Sequence, residues 1–238
     1  MSAKVRKNNI ELLRFVFAVL IVMFHFRLFQ NIDFTADFLK GIKHCNICVE
    51  FFFIMAGYFL FQTINLKQDT FDFIKHRFFR LAPLIWVYVV LSAIFGAIFH
   101  FKFSYDGNIL RLFLLDCCGF GPLTGGDGCG VSWFVSVLFW VSIFYFYISK
   151  IFEKKYVNLI IWVITVCSLG IFLNNNNYGF GGHVTNTALL FNIGILRGLY
   201  GMGIGYFLSM LKERKFLEEC TSNLSKCVFS ILELGLFG

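Results

Sequence analysis

Long apolar runs, broken by short charged or Gly/Asn-rich stretches, set the pattern of this chain. A run of about 20 apolar residues is what an α-helix needs to cross a hydrocarbon core roughly 30 Å thick. Such runs fall at 9–29, 47–64, 81–101, 131–149, 157–173 and 187–211. A seventh begins near Cys227 and stops at Gly238, too short to span. The pattern predicts an all-α polytopic transmembrane helix bundle, six full spans plus a truncated seventh, in one integral-membrane domain over residues 1–238. A run that stops inside a helix also predicts an incomplete reading frame.

Composition sharpens this. Hydrophobic residues make up 58% of the chain and charged residues 15%, against about a quarter charged in a soluble domain. The 34 phenylalanines suit lipid-facing and helix-packing surface and identify no chemistry. With a cytoplasmic N-terminus, the inner segments hold fourteen lysines and arginines and the outer segments five. Arg14 and Arg197, inside spans, complete the 21. This positive-inside bias predicts a multi-pass protein with a cytoplasmic N-terminus, and the expected location is the inner (plasma) membrane. It also accounts for the net charge of +7 without a nucleic-acid partner. The first run is too long for a signal peptide, contains Arg14 and His25, and lacks a small-residue cleavage site, so it reads as a retained helix.

Ionisable residues inside spans are expensive and point to function. The eleven-residue step from Arg14 to His25 is about three helical turns. It puts both on nearly the same face, roughly 16 Å apart along the axis, with Arg14 toward the cytoplasm and His25 toward the outside. Glu50, early in the second run, falls at a depth similar to His25. A carboxylate beside an imidazole raises its basicity and fixes its tautomer, the arrangement that draws a proton from an alcohol. Glu50 and His25 are therefore a candidate catalytic pair. The alternative is that each bonds separately to a neighbouring helix or to interfacial water.

These residues sit in recognisable surroundings. Asn9-Ile-Glu-Leu-Leu-Arg14 through His25, with ten residues between Arg and His, resembles the opening helix of the membrane acyltransferase 3 family. Val49-Glu50-Phe-Phe-Phe-Ile-Met-Ala-Gly57-Tyr is similar to its second signature. His76-Arg77-Phe-Phe-Arg80-Leu-Ala-Pro83 resembles its basic approach to the third helix, and Arg197-Gly-Leu-Tyr-Gly-Met-Gly-Ile-Gly205 a later Arg/Gly-rich helix. Four motifs in the family's order cover essentially the whole chain. Glu50 stands where many members have Asp, and Val131-Ser-Trp133-Phe-Val-Ser matches loosely. Members commonly have about ten helices, which again points to a missing C-terminal part.

The resemblance implies transfer of an acyl group, often acetyl, from cytoplasmic acyl-CoA to a hydroxyl of a surface carbohydrate or related acceptor. Acyl-CoA enters as donor substrate, and no bound cofactor is implied. Its phosphates would attract basic side chains at a membrane entrance. Arg77 and Arg80 are placed to hold them, or serve only as positive-inside anchors. Arg14, deeper, would bind the pantetheine or thioester carbonyl. His25 would act as general base or carry the acyl group as nucleophile. Trp133 and Arg197 are candidate substrate-binding residues, with pairing inside the bundle as the alternative for Arg197.

Other patterns read structurally. Gly194/Gly198 and Gly201/Gly205 repeat at four residues and predict a packing seam over one helix face; lying within an apolar helix, they are not a dinucleotide fingerprint. Cys45 and Cys48, next to His44, lack the second Cys pair of a zinc site. Cys117, Cys118 and Cys129 fall outside, where disulfides form in an oxidising compartment. Cys167 and Cys227 read as apolar packing residues and Cys220 as a cytoplasmic thiol. The stretch 116–130 and the asparagine-rich break 174–183 are either acceptor-facing loops or plain connections. Besides acyl transfer, two classes accommodate these residues: a transporter of a small anionic or sugar substrate, and a non-catalytic membrane assembly subunit. The acceptor, acyl chain length and oligomeric state are not encoded legibly.

Overall fold

The computed structural model describes residues 2–30, 45, 47–99, 105–115, 132–175 and 193–213. Its elements are α1 (Ser2–Gln30), α2 (Cys48–Thr63), α3 (Thr70–Phe99), α4 (Tyr105–Leu112), α5 (Ser132–Ile151), α6 (Lys154–Asn175) and α7 (Gly194–Glu213). Among the described residues all regular structure is helical. By length and composition α3, α5 and α6 are able to cross a membrane, and α2 is a shorter apolar helix. Large apolar side chains such as Leu84, Val87, Ile98 and Trp162 are exposed on the outer faces of α3 and α6. Lipid, as apolar as a protein core, accommodates such a surface. The expected helix from Cys227, the stretch 116–130, most of the asparagine-rich break, His44, Cys117, Cys118, Cys129, Cys220 and Cys227 lie outside the described residues.

The third helix differs most from the apolar pattern. It starts at Thr70 rather than at residue 81, because a polar stretch ends an apolar run without ending a helix. Asp69 supplies the start: its Oδ2 accepts the backbone N–H of Phe71 at 2.8 Å, as an N-cap does. The same bond holds the exposed Asp69 carboxyl below the usual carboxylate range. Pro83 lies inside α3 and removes one backbone donor there, which membrane helices tolerate.

Helix α4 gave no apolar run, since Asn108 and Arg111 face inward and Arg111 Nη1 donates to Asn108 Oδ1 at 3.0 Å. It ends in a Schellman closure: Leu115 N–H bonds Leu110 C=O, Leu114 N–H bonds Arg111 C=O, and Leu114 takes φ of 57°. Glycine is usual at that position. Leucine is kept because its side chain is 1% exposed and packs with Ile85, Val89, Val135 and Phe139. The indole of Trp86 donates to Leu112 O at 3.1 Å, and Trp140 to Leu114 O at 2.8 Å, with Ser136 on the same acceptor.

Helix α7 is the axis of the bundle, against α2, α5 and α6. Its glycines open three faces. A Cβ at Gly205 or Gly57 would collide with the partner backbone across the α2/α7 contact, at Ile54 O and Met202 O respectively. Gly201 faces Phe53 of α2, Gly198 faces Val137 and Val141 of α5, and Gly203 faces Thr165 of α6. The expected seam along one face holds for Gly201 and Gly205, which share the α2 face. It does not hold for Gly198, which turns to α5 because positions 198 and 201 differ by about 60° around the helix. Helix α1 rests on α2 through Phe17 and Phe51 rings, 4.6 Å apart, and through Arg14 over Phe59. As the first contact gives way to the second, residue numbers fall on α1 and rise on α2, so the two helices are antiparallel.

Candidate active site

Glu50 lies in the first turn of α2 on the face that continues through Phe53, Gly57 and Leu60, all buried. That face meets α7. Arg197, in the opening turn of α7, donates Nε to Glu50 Oε1 and Nη2 to Oε2, both at 2.6 Å. Tyr200, one turn further along the same face, donates its hydroxyl to Oε1 at 2.6 Å. Glu50 and Arg197 are 6% and 3% exposed. Two buried charges in this setting persist only when each is fully partnered, and here the carboxylate takes three donors.

Aromatic rings close the cluster. The Arg197 guanidinium lies 5.3 Å from the ring centre of Trp133, in the first turn of α5, and 5.9 Å from that of Phe172, near the end of α6. Phe172 also packs on Tyr200 at 5.5 Å. Thus α2, α5 and α7 begin, and α6 ends, at one end of the bundle. Three helix N-termini gather around Glu50, and their positive dipole ends favour an anion there.

The expected pairing of Glu50 with His25 is replaced by this arrangement. At 100° per residue, Phe51 turns toward α1 while Glu50 turns toward α7, so its oxygens belong to Arg197 and Tyr200. His25 is half-buried on α1, edge-on to Phe24 at 5.4 Å. The antiparallel contact of α1 with α2 carries His25 toward the end of α2 that holds Glu50. Arg14, on the same helix, is exposed, its guanidinium 5.3 Å from the Phe59 ring centre.

A second cluster of cations stands at the opposite end of α5. Phe73 of α3 and Phe146 of α5 stack at 4.0 Å and 8°. Arg77 lies over Phe73 at 5.8 Å and Lys150 over Phe146 at 5.7 Å, so a cation caps each face of the stacked pair. Arg77 Nη2 donates to Ser142 Oγ at 2.6 Å, while its buried Nε has no hydrogen-bond partner among the described residues. Lys150 Nζ reaches Gln68 O at 2.9 Å. Arg80 is exposed on α3. Arg77 and Arg80 therefore sit within α3, not before it.

Of the sequence candidates, the structure brings together Glu50, Trp133 and Arg197; Arg14 and His25 share α1 without meeting, and Arg77 and Arg80 lie on α3. Tyr200, Phe172, Ser142 and Lys150 join these groups without being evident from the sequence pattern. Tyr200 has a signal there, its three-residue spacing from Arg197. Cys167, expected to pack, is exposed on α6. Among the described residues no group of three His, Cys, Asp or Glu is placed to hold a metal ion.

A family model described as an acyltransferase domain matches residues 7–219 of the chain. No curated protein and no solved structure gives a significant match.

Proposed function

The chain belongs to the acyltransferase 3 family, and we propose that this membrane acyltransferase carries an acyl group, acetyl first among candidates, from cytoplasmic acyl-CoA to a hydroxyl of a surface or exported carbohydrate. The observation that carries this reading is the family match over a helical membrane bundle whose first helix bears Arg14 and His25. The two are roughly 16 Å apart along one face. That span suits a donor arm entering at one depth and chemistry at another. With the N-terminus cytoplasmic in an inner membrane, the Glu50 cluster falls on the outer side with His25, and the Arg77 cluster on the inner side.

Each group then has a task. Arg77, with its unfilled Nε, and Arg80 attract the donor's phosphates. Arg14 meets the pantetheine or thioester carbonyl. His25 takes the proton of the acceptor hydroxyl as that oxygen attacks the thioester carbonyl and the CoA thiolate leaves, or it receives the acyl group and passes it on. Glu50, committed to Arg197 and Tyr200, acts on the reaction by fixing the outer end of α2 against α7, which leaves Phe51 turned toward α1. Trp133 is the aromatic contact nearest the acceptor, and Arg197, paired with Glu50 inside the bundle, supports its ring from behind.

The test supplies acetyl-labelled acetyl-CoA to the cytoplasmic side of sealed vesicles holding the protein and candidate carbohydrate acceptors. Label in base-labile esters on the acceptor is expected. Well-folded protein that forms none with acetyl or longer acyl donors contradicts the reading, and transport then becomes the function to test.

A further inference from the structure

The turn that leads into α2 carries a feature that acyl transfer does not use. Cys45 and Cys48 are separated by two residues, and Cys48 is the first residue of α2. Residues 45 and 47 lie in tight helical turns, and Ile47 has φ −64° and ψ −22°, so the chain is already wound when it reaches Cys48. Residues three apart in such a turn have Cα atoms on the order of 5 Å apart. A disulfide spans roughly 4.4–6.8 Å between Cα atoms. The two side chains are neighbours that interact with each other, and both are thiols. Cys45 is partly exposed, while Cys48 is 6% exposed.

We propose that Cys45 and Cys48 form a reversible dithiol–disulfide site at the head of α2. The co-reactant is a small or protein disulfide, RS–SR. The Cys45 thiolate attacks one of its sulfurs, forming Cys45–S–S–R and releasing RSH. The Cys48 thiolate then attacks the Cys45 sulfur, closing the Cys45–Cys48 bond and releasing the second RSH. The two cysteines are oxidised by two electrons, the external disulfide is reduced by the same two, and the two thiol protons leave on RSH. Exposure sets the order, since the incoming disulfide reaches Cys45 and only the neighbouring sulfur reaches Cys48. Closing the bond ties the turn to α2 two residues ahead of Glu50, and so adjoins the Arg197 cluster. With the N-terminus inside, the pair faces the outer side, where disulfides persist.

The whole protein in membranes is equilibrated with glutathione buffers from fully reduced to fully oxidised, blocked with an alkylating reagent, and mapped by peptide mass. Oxidation is expected to remove two alkylatable thiols together and yield a crosslinked peptide containing Cys45 and Cys48. Cys48→Ser is expected to stop at glutathione on Cys45, and Cys45→Ser to leave Cys48 without glutathione; Cys48→Ala replaces Cys48→Ser if that variant does not fold. A stable glutathione adduct on Cys45 of the unmutated chain, unchanged thiols across the whole series, or Cys45 joined to any cysteine other than Cys48 overturns the proposal. This readout needs no enzymatic turnover, so it stands or falls apart from the acyltransferase reading.

Discussion

Arg197 and Glu50, 147 residues apart in the chain, close a two-point ion pair in which Nε and Nη2 each donate across 2.6 Å to a different carboxylate oxygen. Both side chains are buried, so the pair and its Tyr200 bond hold the starts of α2 and α7 in one arrangement. Removing one partner strands the other charge, whereas removing both leaves an apolar contact.

Glu50→Leu and Arg197→Met are therefore each expected to lower unfolding free energy by about 3–5 kcal/mol, and the double variant to lose less than the sum. A double-mutant cycle of unfolding in detergent measures the coupling. Additive losses would mean that the two residues do not stabilise one another.

Gly205 meets the backbone of Ile54 and Tyr58 with no space for a methyl, while a methyl at Gly170 on α6 would find nothing within 4 Å. Gly205→Ala is expected to destabilise by about 1–3 kcal/mol through overpacking. Gly170→Ala is expected to be neutral or slightly stabilising by helix propensity, at most about 1 kcal/mol. Thermal unfolding of the two variants side by side checks the contrast.

Leu114 holds a left-handed backbone conformation and a buried side chain at once. Leu114→Ala keeps the backbone strain and loses the packing, with an expected loss of about 2–5 kcal/mol. Leu114→Asn tests the other half, since asparagine tolerates that conformation but places an amide in an apolar cluster. Both are expected to unfold earlier than the parent, and an asparagine variant as stable as the parent would show that conformation outweighs packing here.

The sequence made α2, α5 and α6 legible because their apolar runs begin and end nearly where the helices do. It hid the first part of α3, where Asp72, Lys75, His76 and Arg77 interrupt hydrophobicity but not backbone bonding. It hid α4 because a short helix with inward Asn108 and Arg111 has no apolar run. The candidate residues Glu50, Trp133 and Arg197 were each visible as polar or aromatic exceptions in or beside apolar spans. Their assembly was not, since which face of α2 meets α7 depends on glycine packing between segments far apart in the chain. A buried Arg197 needs a carboxylate, and charge balance narrows the choice to the few near apolar runs, Glu50 among them, without selecting one.

Arg14 and Arg77 are read as donor contacts at two depths. Arg77→Met is expected to raise KM for acyl-CoA by about tenfold with kcat little changed, the signature of lost uniform binding worth about 1.4 kcal/mol. Arg14→Ala is expected to lower kcat/KM for the donor and to be worst at limiting donor. Initial rates over a donor series separate the two, and unchanged turnover of Arg14→Ala at limiting donor would remove Arg14 from the donor path.

Acyl transfer through His25 is measured by comparing the protein with its His25→Ala variant in sealed vesicles given labelled acetyl-CoA on the cytoplasmic side. Arg197 and Glu50 are left intact, so the variant keeps its cluster, and equal folding is confirmed by equal unfolding midpoints. Label is expected in base-labile acceptor esters with His25, and loss of at least about a hundredfold without it, the lower range for a general base. Equal labelling by both proteins would contradict the assignment of His25, and no labelling by either with acetyl or longer acyl donors would contradict acyl transfer itself.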